Sequence, residues 1–323
     1  MDDLTTLLHD AVEDVEPTDR LAAIRQATRK PARTRWYVAG GAVLAAAAVV
    51  AGIAVAVRPG PAPGPGPSDE ATASDSPAAG HLVPVYDLGE TPAGTRLFRE
   101  FRREPGVAGG MDDALAALSA IPDDPDYRTL WPRDAFQGGF VDYEGGLITV
   151  LLTDSSLRHR PAGMSAEEAA LSVEQVIYTV QAYAQERLPV SFQTEGNPID
   201  QVLGVPTAEP LANRPEIDVL ALVSISDPSE GRVVEGSFTA NGVASSFEGT
   251  VPWELRDAGG AVVQRGFSTG SFDPDHLTPW ETGPIDVSGL PPGTYTFVAS
   301  TDDPSGGAEG PGPTSDTRTV TIR

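Results

Sequence analysis

SAEEAALSVEQVIYTVQAYA, residues 165–184, is the clearest amphipathic helix in this chain. Ser165 and Glu168 have the spacing of a capping box, in which two side chains satisfy backbone N–H groups that the first turn leaves unpaired. Apolar residues then recur at intervals of three and four and share one face, namely Ala169, Val173, Val176, Ile177, Val180 and Ala184. We therefore predict a helix that starts after Ser165 and packs this face against neighbouring elements.

Strand patterns lie on both sides of this helix. In chain order, the strand candidates are residues 82–88, 95–101, 140–143 and 147–153, and a strand that begins at Val190 and Phe192. Residues 95–101 (TRLFREF) also fit the spacing of a helix, so both assignments stay open for them. A second apolar helical stripe contains Met111, Ala114, Leu115 and Leu118. Two amphipathic helices among several strands predict an α+β domain over residues 81–212.

The pattern changes near Pro215. Residues 216–323 have no amphipathic helix, but short strands separated by Gly, Pro and Asp turns about every ten residues. This spacing predicts an all-β sandwich, and a motif that resembles the tyrosine corner of immunoglobulin-like domains makes an immunoglobulin-like sandwich the expectation. LPPGTY at residues 290–295 resembles a tyrosine corner, and Trp253 is predicted to lie in the core. We expect a hairpin turn at residues 257–260, and inward side chains at Phe297, Ala299, Val320 and Ile322.

A single membrane span is predicted before these domains. Residues 36–57 (WYVAGGAVLAAAAVVAGIAVAV) contain no charged residue and no polar face, and as a helix they measure roughly 33 Å, the thickness of a bilayer core. Six basic residues precede the span, whereas after Arg58 the next basic residue is Arg96. Because basic residues favour the cytoplasmic side, we expect a cytoplasmic N-terminus and extracytoplasmic C-terminal domains at the plasma membrane. A cleaved signal peptide is the competing interpretation.

The segments that flank the span have different compositions. Residues 1–35 contain two short helical patterns, which indicate either a helical hairpin that binds a cytosolic partner or a solvated tail. Residues 58–80 are predicted to form a stalk, in which every second residue from Pro59 to Pro67 is proline. Such a sequence favours an extended polyproline conformation and acts as a semi-rigid spacer.

Composition excludes several functional classes. The chain has no Cys, so disulfides and thiolate chemistry are excluded. Residues 1–58 contain as many acidic as basic residues, which places the net charge of −24 on the predicted extracytoplasmic side. An acidic surface of this size repels nucleic acid, because binding needs Lys and Arg to replace the phosphate counterions. We expect no nucleic-acid partner, and the oligomeric state is not predicted.

No catalytic or metal-binding set is predicted, and no cofactor. Residues 266–270 (GFSTG) match the G-x-S-x-G pattern of a hydrolase nucleophile, but no helix follows and only His276 remains downstream, so we expect a loop between two strands. The four histidines are scattered without zinc-binding spacing. The acidic groups around Asp124 and Asp273, and the Asp142–Glu144 pair, are interpreted as solvated turns.

Several short motifs together resemble a known pairing of domains. DDALAALSAIPDDPDYRTLWP, GGLITVLLTD and VEQVIYTVQAY resemble the GerMN domain of GerM-type sporulation and germination proteins. RVVEGSFTANGVASSFEGTVPWELRDAGGAVV and LPPGTYTFVAST resemble the immunoglobulin-like domain of bacterial spore-germination proteins. The resemblance covers residues 81–323 in outline and leaves out the N-terminal segment and the stalk. It implies a membrane-anchored, extracytoplasmic, non-enzymatic protein that supports envelope or sporulation assemblies through protein contacts.

Three functions are consistent with the sequence. The first is a non-catalytic, single-pass protein that binds extracytoplasmic protein partners in envelope, sporulation or germination assemblies. The second is a transmembrane regulator, whose extracytoplasmic domains sense a ligand while residues 1–35 hold a cytosolic partner. An envelope hydrolase ranks last, since it depends on the GFSTG match alone.

Overall fold

The computed structural model describes residues 80–105, 110–303 and 311–323. All of them belong to one compact unit, Ala71–Arg323. The predicted cytoplasmic segment (1–35), the predicted membrane helix (36–57) and all but the last residue of the predicted stalk (58–80) lie outside the described residues. In the part of the chain that is described, no helix is both long enough and apolar enough to cross a bilayer.

The first part of the unit is α+β, as the sequence predicts. Its strands are β1 (Gly80–Thr91), β2 (Gly94–Pro105), β3 (Tyr127–Arg128), β4 (Phe136–Asp142), β5 (Leu147–Leu152), β6 (Val190–Thr194), β7 (Asn197–Pro198), β8 (Gln201–Val202) and β9 (Val205–Pro206). Its helices are α1 (Met111–Ser119) and α2 (Ala166–Ala184), with a 3₁₀ turn at Ser155–Arg158. One sheet has the order β2-β1-β3 and a second has the order β4-β5-β6-β7. Strands β5 and β6 are parallel, and α2 lies in the crossover that a parallel pair requires.

Helix α2 begins with the predicted capping box. The backbone N–H of Glu168 donates to Ser165 Oγ at 3.0 Å, and the backbone N–H of Ser165 donates to Glu168 Oε2 at 2.8 Å. The helix is buried on more than its apolar face, since Gln175 and Thr179 are also enclosed. Thr179 Oγ1 accepts a hydrogen bond from the backbone N–H of Tyr86 in β1. Hydrogen bonds from polar side chains therefore hold the second face of α2 against the first sheet.

Residues 95–101, which fit both a strand and a helix, belong to strand β2. Every residue of β2 pairs with β1, from Gly94 opposite Thr91 to Pro105 opposite Gly80. In this long hairpin each strand satisfies the backbone groups on the facing edge of the other, and this pairing outweighs the helical spacing of the apolar residues.

The second part of the unit is the predicted sandwich. A short helix, α3 (Glu216–Val219), precedes it. Its strands are β10 (Val223–Asp227), β11 (Arg232–Val234), β12 (Ser237–Phe238), β13 (Asn241–Ala244), β14 (Thr250–Arg256), β15 (Val262–Thr269), β16 (Thr278–Glu281), β17 (Ile285–Asp286), β18 (Gly293–Ser300) and β19 (Ser315–Ile322). A three-stranded sheet has the order β10-β13-β16, and a five-stranded sheet has the order β11-β19-β18-β14-β15. Phe297 and Leu255 lie fully buried in the core.

The local predictions for the sandwich are largely confirmed. The Tyr295 hydroxyl donates to the backbone oxygen of Pro291 at 2.8 Å, which is the predicted tyrosine corner. The turn between β14 and β15 closes with a 2.8 Å bond from the Gly260 N–H to the Asp257 oxygen. Trp253 is only partly buried and packs at the edge of the core, whereas Trp280 is 4% exposed and lies within the core.

Candidate functional site

A buried ionic cluster joins the α+β part to the sandwich. We define the Arg318 cluster as Arg318, Asp316, Asp124 and Tyr127, of which the first two lie on β19 and the last two come from the α+β part. Arg318 Nη1 donates to Asp124 Oδ2 at 2.7 Å and to the Tyr127 hydroxyl at 2.8 Å. The Tyr127 hydroxyl donates to Asp316 Oδ1 at 2.5 Å. Arg318 is 1% exposed, so these charges are held together in a water-excluded junction.

The backbone of β10 is part of the same junction. Arg318 Nη2 donates to the Ile225 backbone oxygen at 2.9 Å, and the Ile225 N–H donates to Asp316 Oδ2 at 2.6 Å. The Arg318 guanidinium also lies 5.1 Å from the centre of the Tyr127 ring. The cluster therefore fixes both sheets of the sandwich against the α+β part.

A second buried ionic group lies beside the first. Arg102 on β2 pairs with Asp87 on β1 and with Glu100, and all three side chains are at most 6% exposed. Burial raises the pKa of Asp87 to about 7, an effect that the Arg102 guanidinium only partly offsets. Burial likewise raises the pKa of Asp124 to about 6. Both carboxyl groups therefore titrate near neutral pH.

Backbone contacts extend the junction along β2. The Ala221 N–H donates to the Leu97 oxygen at 2.9 Å, and the Arg99 N–H donates to Ser224 Oγ at 3.2 Å. At the far end, Glu216 of α3 accepts bonds from Arg187 at 2.7 Å and from the Leu277 N–H at 2.9 Å. The two parts are thus joined along the middle of β2 and again beside the C-terminal end of α2.

Two cavities meet on this side of the molecule, and we call them together the junction groove. One cavity of about 620 Å³ lies between the β1–β2 hairpin and the C-terminal end of α2, and Tyr86 and Arg187 are among its lining residues. The other, of about 560 Å³, lies between β2 and the sandwich, and Trp280 is part of its wall. Arg99 and Phe101 line both cavities. Each volume is within the range of ligand-binding clefts, about 300–1,000 Å³.

The hydrolase pattern forms no nucleophile site. Ser268 lies inside strand β15, and not in the predicted loop, because its backbone pairs with Val251 of β14. Its side chain is 4% exposed and donates to the Glu281 backbone oxygen at 2.7 Å. The hydroxyl is therefore enclosed and engaged, and it does not project from a turn as a nucleophile elbow requires.

The predicted solvated turns divide into two groups. Asp273 and Asp142 do accept turn hydrogen bonds near the surface, for example from the Asp275 N–H at 2.9 Å and the Gly145 N–H at 2.8 Å. Asp124 does not fit the prediction, because it is 2% exposed and paired with Arg318. Among the described residues, no group of three or more His, Asp or Glu side chains has the arrangement of a metal site.

The Arg318 cluster was not predicted from the sequence, although its signal was present. The period of two that turns Val320 and Ile322 inward also places Asp316 and Arg318 on the inward face of β19. Charged residues at inward positions of a strand need buried partners of opposite charge. The pattern therefore contained the cluster on β19, but gave no indication that Asp124 is the partner.

The sandwich defines an immunoglobulin-like class of domain, and comparison with known families makes it more specific. Residues 222–308 match the immunoglobulin-like domain of bacterial spore germination, Gmad2. The resemblance seen in RVVEGSFTANGVASSFEGTVPWELRDAGGAVV and LPPGTYTFVAST is thereby confirmed. No curated protein matches the sequence of the chain.

Solved structures similar to this chain include the tandem GerMN domains of the sporulation protein GerM from Bacillus subtilis. The identity is 17% and the TM-score 0.32, over 45% of this chain and 49% of that one, so the chain spans about half the length of this relative. CopC from Methylosinus trichosporium OB3b has 16% identity and a TM-score of 0.21, over 31% of this chain and 92% of that chain. A Jonesia denitrificans lytic polysaccharide monooxygenase has 12% identity and a TM-score of 0.19, over 30% of this chain and 60% of that chain.

Proposed function

We propose that this chain is a non-catalytic, membrane-anchored, extracytoplasmic protein that makes protein contacts in envelope, sporulation or germination assemblies. The match of residues 222–308 to the immunoglobulin-like germination domain carries this proposal. The Arg318 cluster supports it, because a junction held by buried bonds presents surfaces of the α+β part and the sandwich to a partner in one arrangement. The anchor is proposed from the uncharged residues 36–57 and the basic residues that precede them.

Site-specific photocrosslinking in cells tests the contact role. A photoreactive amino acid is placed at Leu82, which is 55% exposed and lines the junction groove, and separately at Ile121, which is 78% exposed and is not part of its wall. We expect a crosslinked envelope protein from position 82 that is absent from position 121. Absence of crosslinked protein from position 82 and from positions on the outer face of the sandwich, such as Phe267, would contradict a contact role.

The membrane arrangement has its own test. Alkaline phosphatase, which is active only outside the cytoplasm, is fused after residue 70, with and without residues 36–57. We expect activity only with the span present, together with full-length protein in the membrane fraction. Activity in both fusions, or a cleaved product in the medium, would contradict the anchor. Deletion of residues 2–19, which keeps the six basic residues before the span, should leave the crosslink at Leu82 unchanged, and its loss would favour the regulator that holds a cytosolic partner.

The non-catalytic assignment is tested at Ser268. We expect the full chain to show no hydrolysis of esters or of envelope polymers that depends on this residue. Turnover that Ser268→Ala abolishes while the melting temperature is unchanged would overturn the assignment.

A further inference from the structure

Arg99 lies where the two cavities of the junction groove meet, and its charge is not compensated. Its Nη2 donates to Ser226 Oγ at 3.0 Å and its guanidinium lies 5.4 Å from the Phe101 ring centre, but no described carboxylate forms an ion pair with it. Its Nε is buried and has no hydrogen-bond acceptor among the described residues. A guanidinium has five N–H donors, and among the described residues the Arg99 side chain has one acceptor, Ser226 Oγ, so it can donate further bonds to a ligand.

Arg187, the other arginine that lines the groove, is paired with a carboxylate. Arg187 pairs with Glu216 Oε1 at 2.7 Å, donates to Gln181 Oε1 at 3.1 Å and lies over the Tyr178 ring at 4.8 Å. In a chain with a net charge of −24, a half-buried arginine without a carboxylate is a position where an acidic group from outside is complementary.

We propose that Arg99 is the centre of a site in the junction groove that binds an extended peptide segment through one carboxylate side chain. Guanidinium groups recognise carboxylates through paired N–H···O bonds. A monoanion suits the site better than a phosphate, because one uncompensated cation balances one charge and the surrounding surface is already acidic. This inference rests on the proposed function and names the chemistry of the partner.

The shape of the groove indicates an elongated ligand. Arg99 and Phe101 line both cavities, of about 620 and 560 Å³, so a ligand bound to Arg99 has room on more than one side of its contact with this residue. The walls of the cavities are mixed. Phe101 is shared by both cavities and Leu82 and Tyr86 lie in the first, whereas the carboxylates Glu186 and Glu281 line the first and the second cavity. We therefore expect an Asp or Glu that binds Arg99, with apolar neighbours that contact Phe101, Leu82 and Tyr86.

Selection from a displayed library of random nine-residue peptides on the full chain in detergent micelles tests this site. We expect the selected peptides to be enriched in Asp or Glu at one position, with apolar neighbours. A labelled peptide from that selection should bind Arg99→Gln at least about tenfold more weakly, as the loss of a charge-assisted pair predicts. Arg99→Lys, which keeps the charge but not the paired geometry, should bind with intermediate affinity.

One control variant makes the result specific. Arg96→Gln removes the same charge from the same strand, outside the groove, and should leave peptide affinity unchanged. No acidic enrichment, equal binding to wild type and Arg99→Gln, or an equal loss in Arg96→Gln would each overturn the proposal. If the peptides bind as expected but no crosslink forms from Leu82 in cells, the chemistry of the site stands and the proposed cellular role fails.

Discussion

Two arginines of this molecule lie at the same junction, and they differ in whether a carboxylate pairs with the guanidinium. Arg318 is 1% exposed and is bonded to Asp124, to Tyr127 and to the backbone of Ile225. Arg99 touches the sandwich through two serine hydroxyls and has no carboxylate partner among the described residues. The first end of the junction is closed by charge pairing and the second is an open groove.

The difference shows which charges hold the structure together and which are free to bind. A buried pair contributes little when complete, but losing one partner is costly because the remaining charge is left without compensation. A half-buried cation without a carboxylate partner contributes little to the free energy of folding. Its N–H donors can still form an ion pair with a ligand. The two ends should therefore respond differently to substitution.

The largest effect is expected for Arg318→Met. This change leaves Asp124 and Asp316 buried next to each other without their cation, and should lower the free energy of unfolding by about 3–5 kcal/mol. Denaturant unfolding followed by tryptophan fluorescence measures it. Adding Asp124→Asn to Arg318→Met should recover part of the loss, since one uncompensated charge is then removed. Equal stability of wild type and Arg318→Met would contradict a structural role for the cluster.

A smaller loss is expected where the groove wall is tightest. Gly242 on β13 leaves no room for a side chain, since an added Cβ would lie 1.9 Å from the Ser224 oxygen and 3.0 Å from the Trp280 ring. Gly242→Ala should cost about 1–3 kcal/mol of unfolding free energy and disturb the groove. Gly283→Ala is the matched control, because an added Cβ there meets nothing within 4 Å. Similar melting temperatures for the two variants would show that the wall adjusts freely.

The closed end should also respond to pH. Asp87 and Asp124 have pKa values raised by burial to about 7 and about 6, whereas an unfolded Asp titrates near about 3.9. The folded state therefore holds more protons between these values, and the stability from these two groups is complete below pH ~4 and is lost as the pH rises through 6 and 7.

We expect the free energy of unfolding to increase by on the order of 1 kcal/mol or more as the pH falls from 8 to 5. The melting temperature should rise over the same interval. Asp124→Asn should reduce this dependence and leave the part that comes from Asp87, while Asp273→Asn, at an exposed turn, should not change it. A melting temperature that falls over the same interval would contradict the direction of the two pKa shifts.

The smallest effect is expected at the open end. Arg99→Gln loses one side-chain bond to Ser226 and the contact with Phe101, and should cost about 0.5–1.5 kcal/mol, well below the loss for Arg318→Met. Thermal unfolding of both variants in the same buffer makes the comparison. Equal losses of unfolding free energy in Arg99→Gln and Arg318→Met would contradict the distinction between the paired and the unpaired arginine.

Local signals in the sequence predicted much of the fold. The capping box at Ser165, the tyrosine corner at Tyr295 and the turn at Asp257 each depend on residues within a few positions of one another, so their spacing is visible in one dimension. The family match to residues 222–308 confirms the sandwich at the level of the domain. The predicted span and N-terminal segment lie outside the described residues and stay predictions.

Contacts between distant segments could not be predicted in the same way. Asp124 was interpreted as a solvated turn because its neighbours are Asp and Pro, and only its packing against β19 makes it a buried partner of Arg318. The sequence predicts a loop at Ser268 because no helix follows the GFSTG pattern, whereas pairing with β14 makes this residue part of a strand. Within the sandwich, Trp280 and not Trp253 is the enclosed tryptophan, which depends on how the two sheets pack. Each of these outcomes is set by tertiary pairing.

The bond from Arg318 to Asp124 joins residues that are 194 positions apart in the chain. A ribosome that adds about 5–20 residues per second needs roughly 10–40 s to make the intervening sequence. Throughout that interval Asp124 and Tyr127 have no cation to pair with, and the surface of the α+β part that later faces β19 stays exposed. Closure of the junction is therefore a late event in the biogenesis of this protein, and that surface is where a chaperone would have the longest access to the unfinished chain.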